Sequence, residues 1–125
     1  MFKLFLCVFL GSGIGGAARY GISLLVNKFV GSSLFPWATF SVNVLGCFLI
    51  GLIYGAIDSS AISVSPETKA FLTAGLCGGL TTFSTFTNEN YILFQSHDFG
   101  MLLLYVAVSV IVGFAAAWLA HSLFQ

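Results

Sequence analysis

Apolar residues dominate four long segments of this chain, and short polar stretches separate them. The segments cover residues 4–26, 38–57, 66–94 and 100–124. A helix that crosses the hydrocarbon core of a bilayer needs about 20 mostly apolar residues, and each segment is long enough. The pattern predicts an all-α fold with four transmembrane helices, in a single integral membrane domain over residues 1–125.

The third segment differs from the others because it is too long and carries a polar interruption. As one helix it would extend roughly 43 Å, at about 1.5 Å per residue, which exceeds the hydrocarbon core. Its run Gly75–Phe86 crowds glycines, hydroxyls and two phenylalanines. Gly78 and Gly79, followed by β-branched Thr81 and Thr82, weaken a helix interior. We therefore predict a helix broken near Gly78–Gly79, and a simple kink is the alternative.

A broken helix and an aromatic pair are both suited to ion contacts. Carbonyls freed at membrane depth are natural ligands for a hard cation such as sodium. Phe83 and Phe86 are three residues apart and therefore share one helical face. A ring edge carries partial positive charge, so it can contact an anion without a full charge that would trap it. Ordinary packing is the alternative role for these rings.

Polar residues also recur at helical spacing in the second and fourth segments. Thr39, Asn43 and Cys47 follow one another every four residues, and Tyr105 and Ser109 are likewise four apart. The Asn43 amide needs hydrogen-bond partners in hydrocarbon, which predicts either a pore position or a bond between helices.

Composition confirms the membrane class and excludes others. The chain is 58% hydrophobic and only 6% charged, with a mean hydropathy of +1.04. It offers no basic surface for nucleic acid. The three cysteines lie in apolar runs without nearby histidines, so neither a disulfide framework nor a zinc site is predicted. No phosphate-binding loop is present, and no soluble catalytic unit is expected, so the chain is not predicted to be an enzyme.

The positive charges give almost no orientation bias. Lys3 and Lys69 lie on one side of the predicted membrane, Lys28 lies on the other, and Arg19 is within the first segment. Since the excess of Lys and Arg sets orientation, we predict that the chain inserts both ways and pairs with an inverted copy. A fixed orientation is the alternative. Arg19 is expected to anchor the first helix by snorkelling, with some steering of anions.

These features together resemble the Fluc-type fluoride channels, which are small dual-topology membrane proteins. The resemblance rests on Gly75–Phe86, Asn43 with Gly46, Arg19, and the fourth-segment pair Tyr105 and Ser109. It covers essentially the whole chain. It implies an antiparallel homodimer with two pores, in a bacterial-type inner membrane, that exports fluoride passively and gives fluoride resistance.

The resemblance also implies roles for individual residues. The residues implied to line the fluoride pore are Asn43, Phe83, Ser84, Thr85, Phe86, Glu89, Tyr105 and Ser109. The backbone carbonyls of Gly78 and Thr81 are implied to hold a structural sodium ion at the centre of the dimer. The implied partners are fluoride, a second copy of the chain and the lipid bilayer.

Two other functions are compatible with a small four-helix membrane protein. A proton-coupled exporter of lipophilic cations needs a carboxylate in the membrane, and Glu89 is the one acid within a segment that could serve. A structural subunit would use the glycines and hydroxyls only to pack helices. Transport by the purified chain alone separates these alternatives.

Overall fold

The computed structural model describes every residue from Met1 to Gln125, and the fold is entirely helical. The helices are α1 (Phe2–Val30), α2 (Trp37–Asp58), α3 (Pro66–Ala70), α4 (Gly78–Leu80), α5 (Phe83–Gln95) and α6 (Phe99–Ser122), with a π-helical segment, Phe71–Cys77, between α3 and α4. The elements from α3 to α4 are continuous and form the first half of the third span. Helix α5 forms the second half, so the chain is all-helical as predicted and each of the four predicted segments is helical.

Helices α1, α2 and α6 are each long and apolar enough to cross a membrane. Only 15 of the 125 residues are buried within the chain, so most apolar side chains point outward. A water-soluble domain buries such side chains, whereas a protein surrounded by lipid leaves them on its surface. The outward apolar surface therefore agrees with the membrane class predicted from the sequence.

Side chains cap two helix starts. The Ser65 hydroxyl accepts the Thr68 N–H at 3.1 Å, directly before Pro66 at the first helical position. The Asp98 carboxylate accepts the Met101 N–H at 3.2 Å at the start of α6. Each side chain satisfies one of the backbone donors that a helix start leaves unpaired.

The third span is broken near Gly78–Gly79 as predicted, but the extended residues are the two threonines and not the glycines. Thr81 (φ −87°, ψ 161°) and Thr82 (φ −149°, ψ 121°) are the extended residues. Gly78 remains helical, with φ −63° and ψ −38°. Gly79 serves close packing instead, because a Cβ there would lie 2.5 Å from the Ser12 carbonyl oxygen of α1. The β-branched threonines favour the extended conformation that ends the helix.

Glycines bring the helices together in two pairs. Helix α1 packs on the first half of the third span, where Gly11 and Gly75 approach each other. Helix α2 packs on α6, where Gly51 meets the backbone of Ala117. Small residues allow this close approach of backbones in membrane helices. The first half of the third span also contacts α2, and α5 contacts α6.

Candidate ion pathway

A cavity of about 310 Å³, here called the inner cavity, lies beside the break in the third span. It is lined by Asn43, Cys47, Thr81, Thr82, Phe83, Phe86, Ser109 and Val110. The lining comes from α2, the break, α5 and α6, which are distant in sequence. Four of the predicted pore residues therefore share one cavity: Asn43, Phe83, Phe86 and Ser109.

The side chain of Asn43, on α2, forms hydrogen bonds with the backbone of the break. Its Oδ1 accepts the Thr82 N–H at 2.7 Å, and its Nδ2 donates to the Thr82 carbonyl at 3.1 Å. The extended backbone of Thr82 has no helical partners, so the amide replaces both bonds that the helix lost. The Thr82 hydroxyl then accepts the Thr85 N–H at 3.2 Å and caps α5.

The carbonyls at the end of the first half are only partly satisfied. Cys77 O accepts both the N–H and the hydroxyl of Thr81, and Gly79 O accepts the Arg19 Nε–H at 3.0 Å. The carbonyls of Gly78, Leu80 and Thr81 accept no hydrogen bond from the chain. Arg19 therefore anchors α1 to this helix end through its guanidinium.

The two phenylalanines of the break differ in their surroundings. Their ring centroids lie 6.1 Å apart, and the ring planes are inclined by 37°. Phe83 is 79% exposed, whereas Phe86 is half-buried and packs on Tyr105 with centroids 4.9 Å apart. Within one chain, Phe83 therefore presents most of its ring to whatever lies outside.

A second cavity of about 250 Å³, the outer cavity, lies between α1, the α1–α2 connection, α2 and α5. Its polar lining consists of Ser23, Asn27, Ser33, Thr39, Thr85 and Glu89. The Glu89 carboxylate accepts the Tyr105 hydroxyl at 2.7 Å and the Thr39 hydroxyl at 2.8 Å. Two hydroxyl donors thus stabilise this carboxylate inside the bundle.

Tyr105 contacts residues of both cavities. Its side chain is fully buried, its hydroxyl bonds Glu89 in the outer cavity, and its ring packs on Phe86 of the inner cavity. Phe35 adds an edge contact at 5.3 Å between centroids on the outer side. Tyr105 therefore packs between Glu89 of the outer cavity and Phe86 of the inner cavity.

The sequence has clear relatives. A family model described as "CrcB-like protein, Camphor Resistance (CrcB)" matches residues 6–121. The chain belongs to the CrcB family. A relative from Flavobacterium psychrophilum, named "Fluoride-specific ion channel FluC", is 46% identical over 116 residues, covering 93% of this chain and 92% of that protein.

Other relatives of the same name support the same CrcB assignment over nearly the full length. The protein from Chlorobium phaeobacteroides is 46% identical over 114 residues, covering 91% of this chain and 86% of its own. The protein from Acidithiobacillus ferrooxidans is 43% identical over 126 residues, covering 98% and 99%. With its three long apolar helices, this CrcB chain is a multi-pass membrane protein.

Four predicted pore residues of the CrcB chain carry a hydroxyl or carboxylate, and these groups do not all lie in one cavity. Thr85 and Glu89 line the outer cavity. Ser84 lines neither cavity, and its hydroxyl lies 3.4 Å from that of Thr82. The Ser109 hydroxyl is buried in the inner cavity without a hydrogen-bond partner. Ser109 is thus the one predicted pore residue whose hydroxyl is both buried and free to bind a ligand.

Sequence reasoning missed several polar residues of the CrcB pathway. Ser23 and Asn27 of the outer cavity were not singled out, nor was Thr39 as a partner of Glu89. A signal was present, because Arg19, Ser23 and Asn27 recur every four residues and so form one polar stripe on α1. The π-helical segment was also missed, since no residue pattern marks it.

Proposed function

We propose that this chain is a fluoride channel that lets fluoride flow passively across the membrane and so limits its accumulation in the cytoplasm. The relatives named as fluoride-specific ion channels support the substrate. The observation that carries the proposal is the broken third span, which supports a polar, aromatic-lined cavity among transmembrane helices. Irregular backbone persists at that depth where it lines a cavity or packs on protein.

The proposed route begins in the outer cavity and ends beside the break. Fluoride loses water stepwise to hydroxyl and amide donors, among which the unpartnered Ser109 hydroxyl is the clearest. It then passes the ring edges of Phe86 and Phe83, whose partial charges are too weak to hold it. Entry and release both require such modest contacts, because a fully charged ligand would bind the anion too tightly to conduct.

Fluoride and chloride efflux from liposomes that contain only this chain tests the function. We expect rapid fluoride efflux with a potassium ionophore present, and much slower chloride efflux. Phe83→Leu and Phe86→Leu should each lower fluoride efflux at least about tenfold, since the ring edge is lost. Phe94→Leu is the matched control, because this exposed ring of α5 lines neither cavity.

Two results would contradict the scheme. If the correctly folded wild-type chain gave no fluoride efflux, the proposed channel function would be wrong. If fluoride efflux were equal in the three phenylalanine variants, the proposed contact between fluoride and the ring edges would be wrong, but the channel function would stand. A proton-coupled exporter would instead expel lipophilic cations only with a proton gradient, and it would lose that activity in Glu89→Gln.

The proposed assembly is an antiparallel homodimer with two pores. Three exposed residues at the break support this assembly: Phe83, Ser84 and Gly78. The Gly78 carbonyl has no hydrogen-bond partner within the chain. Lipid would leave that carbonyl unsatisfied, and a second copy would cover it. Reporter fusions at the C-terminus should show both orientations in one membrane. A single orientation in every copy would contradict the inverted arrangement.

A sodium ion at the centre of this dimer is the proposed cofactor. The carbonyls of Gly78 and Thr81 fit it, because both lack hydrogen bonds and both belong to the end of the first half of the third span. An inverted pair would supply four carbonyl oxygens, which are hard ligands suited to a hard cation. Replacing sodium by a large organic cation on both sides should abolish fluoride efflux. Unchanged efflux after exhaustive sodium removal would contradict the site.

A further inference from the structure

A groove of about 320 Å³ lies between α2 and α6, over the C-terminal turns of both helices. It is here called the aromatic groove, and its lining includes Gly51, Tyr54, Phe114, Ala117, Trp118 and His121. The rings of Phe114 and Trp118 are 74% and 60% exposed. In a protein surrounded by lipid, exposed apolar rings face the bilayer, so the aromatic groove opens on the lipid side. The proposed fluoride route gives these residues no role.

The shape and chemistry of the aromatic groove suit an acyl chain. Gly51 meets the backbone of Ala117 where the two helices touch, so its floor is made of small residues. Larger rings rise on both sides, with Tyr54 on α2 and Trp118 on α6. A largely apolar groove gains most from an apolar occupant, and the acyl chains of phospholipids are the apolar molecules that a bilayer supplies.

An unpaired positive charge lies beside the aromatic groove. The Lys69 Nζ is 5.4 Å from the centroid of the Tyr54 ring. Lys69 is exposed and forms no ion pair, since the one ion pair of the chain joins His121 to Asp58 at 3.1 Å. Asp58 would repel an anion, but His121 is hydrogen-bonded to its carboxylate. The free ammonium beside the groove therefore favours an anionic occupant.

The position of this charge matches the depth of a lipid headgroup. Helix α2 ends at Asp58 and α3 begins at Pro66, so Tyr54 and Lys69 both lie within about two turns of the same membrane surface. Tyrosine and tryptophan are enriched at that level, where one end of the ring is apolar and the other is wet. An acyl chain in the groove would thus place its headgroup near Lys69.

We propose that the aromatic groove is a binding site for an anionic phospholipid. One acyl chain lies between Tyr54 and Trp118, and the phosphate contacts the Lys69 ammonium. Basic residues beside grooves between membrane helices are suited to anionic headgroups. The binding does not depend on the proposed fluoride conduction, so either can fail without the other.

Quenching of Trp118 fluorescence by lipids with brominated acyl chains tests the site. The chain has two tryptophans, so Trp37→Phe is the parent for all variants and leaves Trp118 as the reporter. The parent is reconstituted in phosphatidylcholine with increasing fractions of brominated phosphatidylglycerol or brominated phosphatidylcholine. We expect the anionic lipid to bind beside Trp118 about fivefold more tightly, which is the contribution of one lysine near the headgroups.

Three variants of this parent distinguish the site from general attraction to the surface. Lys69→Gln should abolish the preference for phosphatidylglycerol, and Lys69→Arg should retain it. Lys3→Gln is the matched control, because it removes the same charge on the same predicted side of the membrane and Lys3 does not line the groove. It should leave the preference unchanged.

Two results would overturn the proposal. Equal quenching of the parent by both brominated lipids would mean that the groove takes any acyl chain of the surrounding bilayer. A preference that Lys69→Gln and Lys3→Gln reduce equally would mean that the anionic lipid gathers by diffuse attraction to the membrane surface. Fluoride efflux of the wild-type chain is measured separately, and its outcome decides only the channel function.

Discussion

Replacing Asn43 by leucine should destabilise the fold through the break. The substitution keeps a side chain of similar size but removes both hydrogen bonds to Thr82, at 2.7 Å and 3.1 Å. It leaves one N–H and one carbonyl of the extended backbone without partners in a half-buried position. Each unsatisfied group costs about 1–3 kcal/mol, so the free energy of unfolding should fall by about 2–6 kcal/mol.

The measurement is the unfolding free energy in mixed micelles, from titration with a denaturing detergent. Asn90→Leu is the matched control, because it also removes an amide, whose one bond goes to the Phe86 carbonyl within α5. That helix should survive the loss, so the control should change by under about 1 kcal/mol. Asn43→Asp retains the acceptor for the Thr82 N–H and loses the donor when ionised, which separates the two bonds.

The same variants connect stability with conduction. If the Asn43 amide holds the inner cavity open, Asn43→Leu should also lower fluoride efflux, while Asn90→Leu should not. The reasoning would be refuted if Asn43→Leu and Asn90→Leu unfolded within about 1 kcal/mol of each other, since two lost bonds must exceed that difference. A stable break without the amide would mean that packing alone fixes the extended residues.

Three further substitutions test the fold and the pathway by the same unfolding titration. Gly79→Ala should lower the free energy of unfolding by about 1–3 kcal/mol, because its Cβ would lie 2.5 Å from a carbonyl oxygen of α1. Gly13→Ala is the control, since its Cβ would meet nothing within 4 Å, and it should be neutral or stabilising. Equal effects would argue against tight packing there. Tyr105→Phe removes the 2.7 Å hydrogen bond to the Glu89 carboxylate and should lower the free energy of unfolding by about 1.5–3 kcal/mol. An unchanged free energy of unfolding would mean that other donors satisfy the carboxylate. Arg19→Met should cost a similar amount by freeing the Gly79 carbonyl, and an unchanged value would assign the arginine to the surface.

Much of the local structure was predictable because it depends on neighbours in sequence. Hydrophobic length predicts the four helical segments, and Ser65 and Asp98 are residue types typical of the helix starts that they cap. The excess length and polar run of the third segment also predict that its helix is interrupted. In each case the deciding contacts lie within one or two helical turns, so the sequence carries the signal.

The exact location of the break and the partners of the polar groups came only from tertiary structure. Gly79 could either loosen a helix or admit a close neighbour, and its packing on Ser12 of α1 decides for the second. Asn43 reaches Thr82 across 39 positions, and Arg19 reaches Gly79 across 60. The sequence alone determined which residues need polar partners inside a membrane. Which partners they find depends on how distant helices pack, because that packing brings together groups whose separation along the chain carries no local pattern.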